Sequence, residues 1–363
     1  MEVQKFILQL NLFFIVILSI LSSVSSEITF SYPTSTYLLN GNLFIIHKYG
    51  IDICDNLLTK IIDTPIIFSE EEQISTTYSL SKVLITKFDD GYIICLINDK
   101  IYIFDNEGHF LYKSERIDEE KNPDYYSLNI KDNYHFYIGF IANNLLNLYY
   151  YEYIISENKT ELIASKENSK VIHNVDIFFK YKLKNKGISC HVMRNNNIGE
   201  ALACFYILNR NENTFAVGFY VIDGTKINEP IRFWPASEDC EDIQFLKVDI
   251  NKDHSKALVC LILPNKENNC FVYDINESGF SMNYLNCNNK ICRNEYYGLK
   301  VNYFPEKDEF ISSCLGENGN ITYCIFNNNF NYEEINKFEN CNNINGYSTV
   351  FSNSTNKYYI IHA

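Results

Sequence analysis

Basic residues are the first shortage in this chain: 31 Lys and Arg stand against 45 Asp and Glu over 363 residues, a net charge of −14. Nucleic acid rewards clustered cations, so the deficit excludes it as a partner. Glycine is scarce as well, with 14 in all, and none is spaced as a GxxxxGK[ST] phosphate loop, a GxGxxG dinucleotide turn or a GxSxG nucleophile elbow. The seven histidines, His47, His109, His135, His173, His191, His254 and His362, are scattered and form no HExxH or other spaced pair. No catalytic residue, cofactor site or metal site is read from the sequence. What remains, 46% hydrophobic and 15% aromatic residues, is the composition of a chain that folds.

Long apolar runs are also missing, except at the start. MEVQKFILQLNLFFIVILSILSSVSS places Lys5 before an apolar stretch from Phe6 to Leu21 and closes on small residues, the layout of a secretory signal peptide. Val24 and Ser26 suit cleavage before Glu27, which gives a signal peptide over 1–26 and a single domain over 27–363. An uncleaved anchor is the alternative, and Gln9 and Asn11 interrupt the stretch against it. No later window approaches the roughly 18 apolar residues of a membrane-spanning helix. The mature chain is expected to be secreted, or held at the cell surface if a C-terminal anchor follows this chain. Four N-glycosylation triplets fit that address, at Asn158, Asn276, Asn320 and Asn353. The wealth of Asn, Ile, Tyr and Lys reflects an AT-rich genome, so Asn-rich loops such as NNNFN carry no functional reading.

One grammar repeats along the chain. In KVLITKFDDGYIICLINDKIYIFDNEGHFLYKS (82–114) four short apolar strands are separated by DDG, ND and DNEG, residues that make tight turns. Similar units occupy 35–63, 125–165, 187–234, 245–285 and 297–338. In each the second strand is the most continuously apolar, as in NLFIIH, YIICLI and ALVCLIL, and a strand apolar on both faces is buried on both. Later strands alternate more and should approach solvent. The stretches 58–73 and 165–175 read as connections, and the SEEE run (69–72) as a solvated loop. Sheets packed face to face around an axis fit this pattern, so the fold expected is an all-β β-propeller of four-stranded blades. A pair of β-sandwiches is the competitor. Residues 346–363 match only two strands of a further unit, and EITFSYP could complete it, which makes seven blades with the seventh shared between the termini.

Twelve cysteines behind a leader point to disulfides. Cys260 and Cys314 fall in second strands, Cys270 and Cys324 in the third strands that follow, and Cys190 and Cys204 flank the first hairpin of their unit. Each of these pairs is expected to staple its own hairpin. Zinc needs four converging ligands, and Cys287 with Cys292 is the only close pair. Cys54 and Cys95 are expected to be free and buried; Cys240, Cys287, Cys292 and Cys341 sit between units.

FDNEG (104–108) and DDG (89–91) read as hairpin turns rather than calcium loops, and LYYYEY (148–153) as mainly core. Trp234, the one tryptophan, sits in FWP without the SxDxGxTW boxes of sialidase propellers. The unit VLITKFDDGYIICLINDKIYIFDNEGHFLYKS resembles a blade of the broad propeller superfamily in which a strand ending in FD meets an Asn/Gly turn. The whole arrangement is similar to uncharacterised expanded families of secreted or surface proteins of AT-rich protists such as Plasmodium. That resemblance spans most of the mature chain and implies no activity.

The function expected is a secreted or surface binding and adhesion module, not an enzyme, that recognises a protein or glycan. A propeller glycosidase with two carboxylates in the central pocket and a structural coat component are the alternatives. Amino-terminal sequencing of the protein secreted by a eukaryotic host should begin at Glu27; a chain still beginning at Met1 would contradict the leader.

Overall fold

The computed structural model describes residues 35–39, 41–55, 61–74, 83–88, 90–117, 126–142, 145–156, 159–164, 170–172, 182–195, 199–209, 213–221, 231–233, 245–262, 268–276, 279–285, 299–316, 321–327, 332–338, 347–352 and 357–362. All regular structure in them is β. The first sheet is β1 (Ser35–Leu39), β2 (Asn42–His47), β3 (Gly50–Cys54) and β4 (Ile61–Ile67). The second is β5 (Val83–Lys87), β6 (Ile93–Ile97), β7 (Lys100–Phe104) and β8 (Phe110–Lys113). The third is β9 (Tyr126–Ile130), β10 (His135–Ala142), β11 (Leu145–Ser156) and β12 (Lys159–Ala164), with β13 (Lys170–Ile172) also on β11. The fourth is β14 (Lys182–Asn195), β15 (Gly199–Asn209), β16 (Asn213–Val221) and β17 (Ile231–Phe233). The fifth is β18 (Phe245–Ile250), β19 (Lys256–Ile262), β20 (Asn268–Asn276) and β21 (Gly279–Leu285). The sixth is β22 (Leu299–Phe304), β23 (Glu309–Leu315), β24 (Ile321–Asn327) and β25 (Tyr332–Phe338). A last pair, β26 (Tyr347–Ser352) and β27 (Lys357–His362), stands as two strands.

Every sheet is an antiparallel meander, and the first strands touch one another in the order β26, β1, β5, β9, β14, β18, β22. The architecture is a β-propeller with the first strand of each sheet innermost. The β26–β27 pair matches the expected last unit, and EITFSYP lies outside the described residues. So do the signal peptide, Asn158, Asn320 and Asn353.

The cores lie between sheets. Ile46, Ile51, Cys95, Tyr102 and Phe104 pack the first sheet against the second. Ile94, Ile103, Phe136, Ile138 and Tyr153 pack the second against the third. Between the fifth and sixth, Leu258, Val272, Phe310 and Phe326 do the same. This is why second strands are apolar on both faces: β6 is buried at every residue.

Two expectations need correcting. The third strands β3 and β7 are packed as deeply as second ones, whereas β24 alternates toward solvent as expected and the fourth strands β4 and β8 reach it most. The stretches read as connections include β4 and β13, because an outer strand needs little apolar sequence to pair.

The SEEE run is a turn whose last residue is structural. Glu72 accepts hydrogen bonds from Lys100 and Lys113 of the second sheet, and these cations hold its carboxyl down at about 2. LYYYEY packs as expected, with Tyr150, Tyr151 and Tyr153 buried. Asp90, Gly91 and FDNEG lie in hairpin turns, Asp89 being outside the described residues, and the glycines Gly91 and Gly108 have φ of 103° and 95°, where a side chain would be strained.

Cys190 faces Cys204 and Cys260 faces Cys270 in the strand registers, with Cα separations of 4.0 and 4.1 Å, and both pairs are disulfides. The Cys314–Cys324 staple is not formed. The hairpin register sets Cys314 opposite Thr322 and Ser312 opposite Cys324, a two-residue offset, and the disulfide that Cys314 does make is not with Cys324. Cys54 and Cys95 are free and buried, and burial pushes the Cys54 thiol up to about 12.

Non-reducing peptide mapping should recover Cys190 linked to Cys204 and Cys260 linked to Cys270, with no Cys314–Cys324 peptide. Replacing Cys260 and Cys270 by Ala should lower unfolding stability by about 2–3 kcal/mol, measured by urea denaturation.

Candidate functional site

The innermost strands carry polar residues beside the apolar cores between the sheets. YSLNI, GISCHV, FLKVDI and LKVNYF each alternate, and register decides where the polar residues point. In β9, Ser127 lies opposite Gly139, whose Cα faces the Cys190 sulfur of the next sheet. Ser127 and Asn129 thus share the face directed at the fourth sheet. By the same parity Ser189 and His191 face the fifth sheet, and Lys247 and Asp249, opposite Cys260 and Leu258, face the sixth. Lys300 and Asn302 are the matching pair on β22.

Each inner strand lacks a hydrogen-bonded neighbour on its axial side, so its outward N–H and C=O groups need partners. The preceding sheet supplies them. Ser127 Oγ accepts from Cys190 N at 2.7 Å, donates to Cys190 O at 3.1 Å and accepts from Asn129 Nδ2 at 2.9 Å, which satisfies the hydroxyl completely. Ser189 Oγ donates to Val248 O at 3.3 Å and lies 2.7 Å from His191 Nε2. Asp249 Oδ2 accepts from Tyr303 N at 2.7 Å, and its Oδ1 accepts from Ile250 N at 2.9 Å. Three successive inner strands are therefore each tied to the next by one side chain.

Burial shapes the charges of this set. It raises the Asp249 carboxyl to about 6, against the opposing pull of the two backbone N–H donors. It pushes His191 down to about 4, helped by the nearby His254, so the imidazole is neutral at pH 7. Lys300 falls to about 8 through burial, and Lys247 is lowered by burial and then by Lys300. Asp249 is the only carboxylate among the described residues at these positions. That carboxylate is engaged by two backbone amides. Ser189 beside His191 has the residue types of a nucleophile and base, yet the hydroxyl also bonds Val248 O, the partner that its place in the ring requires.

None of these residues stood out in the sequence as a site. The signal was there, as polar residues in strand interiors, but a serine in a strand is not informative until the register shows what it faces. Of the residues that did stand out, Cys190 lies on the inner strand β14, while Cys204, Cys260 and Cys270 lie on second and third strands. Ser312 of the sixth sheet meets the Cys260 and Cys270 sulfurs at 3.4 and 3.5 Å, so that disulfide is part of a sheet-to-sheet contact. Asn276 closes β20 at the hairpin to β21.

No protein-family model matches the chain, and no curated protein matches it in sequence. The likeness is structural. The fold is a β-propeller. It is similar to the BP39L lectin from Burkholderia pseudomallei, with a TM-score of 0.57 and 8% identity over 92% of this chain and 93% of that one. An arginine-to-alanine mutant of AofleA from Arthrobotrys oligospora matches with a TM-score of 0.50 and 11% identity, over 93% and 90% of the two chains. The SapL1 lectin in complex with alpha methyl fucoside matches with a TM-score of 0.50 and 10% identity, over 85% and 97%. At such identities the shared property is the fold.

The raised Asp249 carboxyl makes a pH prediction. A carboxyl that holds its proton more tightly folded than unfolded favours the folded state while protonated, so stability falls as pH rises from 3.8 through about 6 and is level above. Asp249→Asn keeps the acceptor for Tyr303 N and removes the titration. The stability difference between the natural protein and this variant, followed by urea denaturation, should change over that window; a constant difference would contradict the assignment.

Proposed function

We propose that the chain is an extracellular β-propeller that binds a glycan at one end of the ring and carries out no chemistry of its own. The observation that carries this reading is the match to a lectin propeller along almost the whole of both chains. Three further features support it. The axial polar groups are engaged in holding the ring, which leaves recognition to the hairpin turns at its ends. The leader and the glycosylation triplets send the chain through the secretory pathway, and the Cys190–Cys204 and Cys260–Cys270 disulfides suit an oxidising compartment. The net charge of −14 favours neutral partners over acidic ones.

A glycan array probed with protein secreted from a eukaryotic host tests it. Retention of a defined set of glycans is the expected result. Binding to no glycan, together with capture of a specific surface protein, would replace the glycan by a protein partner; hydrolysis of array glycans would return the glycosidase.

A further inference from the structure

We propose that the first hairpin of the third sheet, residues 131–135 together with Glu152, is a subsite for a neutral sugar ring. The inference rests on the glycan-binding reading and names where binding occurs. Tyr134 lies in the turn between β9 and β10 and is 56% exposed, against 44% for Tyr49 and 43% for Phe110, the other exposed aromatic residues among those described. An exposed phenol ring offers a flat apolar area with a polar tip, which suits the C–H face of a pyranose edged by hydroxyls.

The turn that presents this ring is tightly held. Lys131 N and Asp132 N donate to His135 O at 2.9 and 3.3 Å, and Tyr153 N donates to Tyr134 O at 2.6 Å. Asp132 Oδ1 accepts from Tyr134 N and His135 N, each at 3.0 Å, and meets His135 Nδ1 at 2.7 Å. Behind the turn, the His135 ring stacks on Tyr150 with centroids 5.3 Å apart and planes 10° from parallel. Lys131 Nζ lies 5.7 Å from the centroid of the same tyrosine. A platform fixed before binding loses little conformational entropy when a ligand arrives.

Carboxylates flank it. All three Asp132 contacts fall on Oδ1, so Oδ2 is the oxygen that a ligand donor would meet. Glu152 Oε1 stands 3.9 Å from His135 Nε2, and the two acidic side chains are 40% and 44% exposed. A carboxylate only accepts hydrogen bonds, and a pair of adjacent sugar hydroxyls can supply both donors. With Lys131 turned onto the Tyr150 ring, these two carboxylates disfavour sialic acid or a sulfated sugar, so the ligand class that fits is a neutral hexose. The other first-hairpin turns described in full, Asp253 with His254 in the fifth sheet and Glu306 to Asp308 in the sixth, present no exposed aromatic ring. The subsite is therefore particular to the third sheet among the described turns.

The test compares the natural protein with Tyr134→Ala, Glu152→Gln and, as a control, Tyr49→Ala, which lies on a second hairpin and so at the opposite end of the ring. Arrays carrying neutral, sialylated and sulfated glycans identify the ligand, calorimetry measures affinity, and thermal melting checks the fold. Expected are binding to neutral glycans, a loss of at least about tenfold in affinity for Tyr134→Ala and Glu152→Gln, unchanged melting, and full affinity for Tyr49→Ala. If Tyr134→Ala melts early, Glu152→Gln decides alone. Unchanged affinity in both variants overturns the subsite and leaves glycan binding standing. A preference for anionic glycans also overturns the subsite, and binding of no glycan by the natural protein overturns both.

Discussion

An inner strand of a propeller sheet has backbone amides and carbonyls on its axial side with no strand beside them, and the ring depends on how they are satisfied. Here the preceding sheet caps them with side chains. Ser127 closes both the N–H and the C=O of Cys190, Ser189 reaches Val248 O, and Asp249 reaches Tyr303 N. A hydrogen bond of this kind contributes about 1 kcal/mol net, whereas a buried donor left unpaired costs about 1–3 kcal/mol. The penalty for omission, more than the gain, explains why polar residues persist in the middle of these strands. The same bonds set the orientation of one sheet on the next, because each ties a single backbone position in β14, β18 or β22.

Around that ring the rest of the protein divides its work by distance from the axis. Second and third strands bury apolar side chains between neighbouring sheets, and aromatic contacts such as Phe44 with Phe104 and Phe136 with Tyr151 fill the wedge that opens outward. The Cys190–Cys204 disulfide joins an inner strand to its second strand, and Cys260–Cys270 joins a second to a third. Such bonds restrain the unfolded chain, and the second also meets Ser312 of the sixth sheet. The fourth strands β4 and β8 meet solvent. Glu72 shows that even a connection can be enlisted, since it fastens the first sheet to Lys100 and Lys113 of the second.

Much of this architecture was legible in the sequence, and the reason is periodicity. Strands apolar on both faces, as in YIICLI and ALVCLIL, imply sheets stacked on both sides, and turns such as DDG and DNEG divide the chain into meanders. Two disulfides were legible because spacing around a hairpin predicts opposition when the turn is regular. The third failed on register: a shift of two residues sets Cys324 against Ser312 instead of Cys314. Strand β4 was missed because an outer strand needs no alternating pattern once one partner is in place. The axial residues and the Tyr134 turn were not legible at all, since Ser127 is ordinary until Cys190, 63 residues away, is known to face it.

The ring contacts can be measured one amide at a time by hydrogen exchange in the native state. Cys190 N–H and Tyr303 N–H lie on the unpaired edges of β14 and β22 and should nevertheless exchange as slowly as amides inside the sheets. Ser127→Ala should release Cys190 N–H alone, and Asp249→Ala should release Tyr303 N–H together with Ile250 N–H, the other amide that Asp249 accepts. Rapid exchange of both amides in the natural protein, at the rate of a solvent-exposed edge strand, would contradict the claim that the preceding sheet closes them.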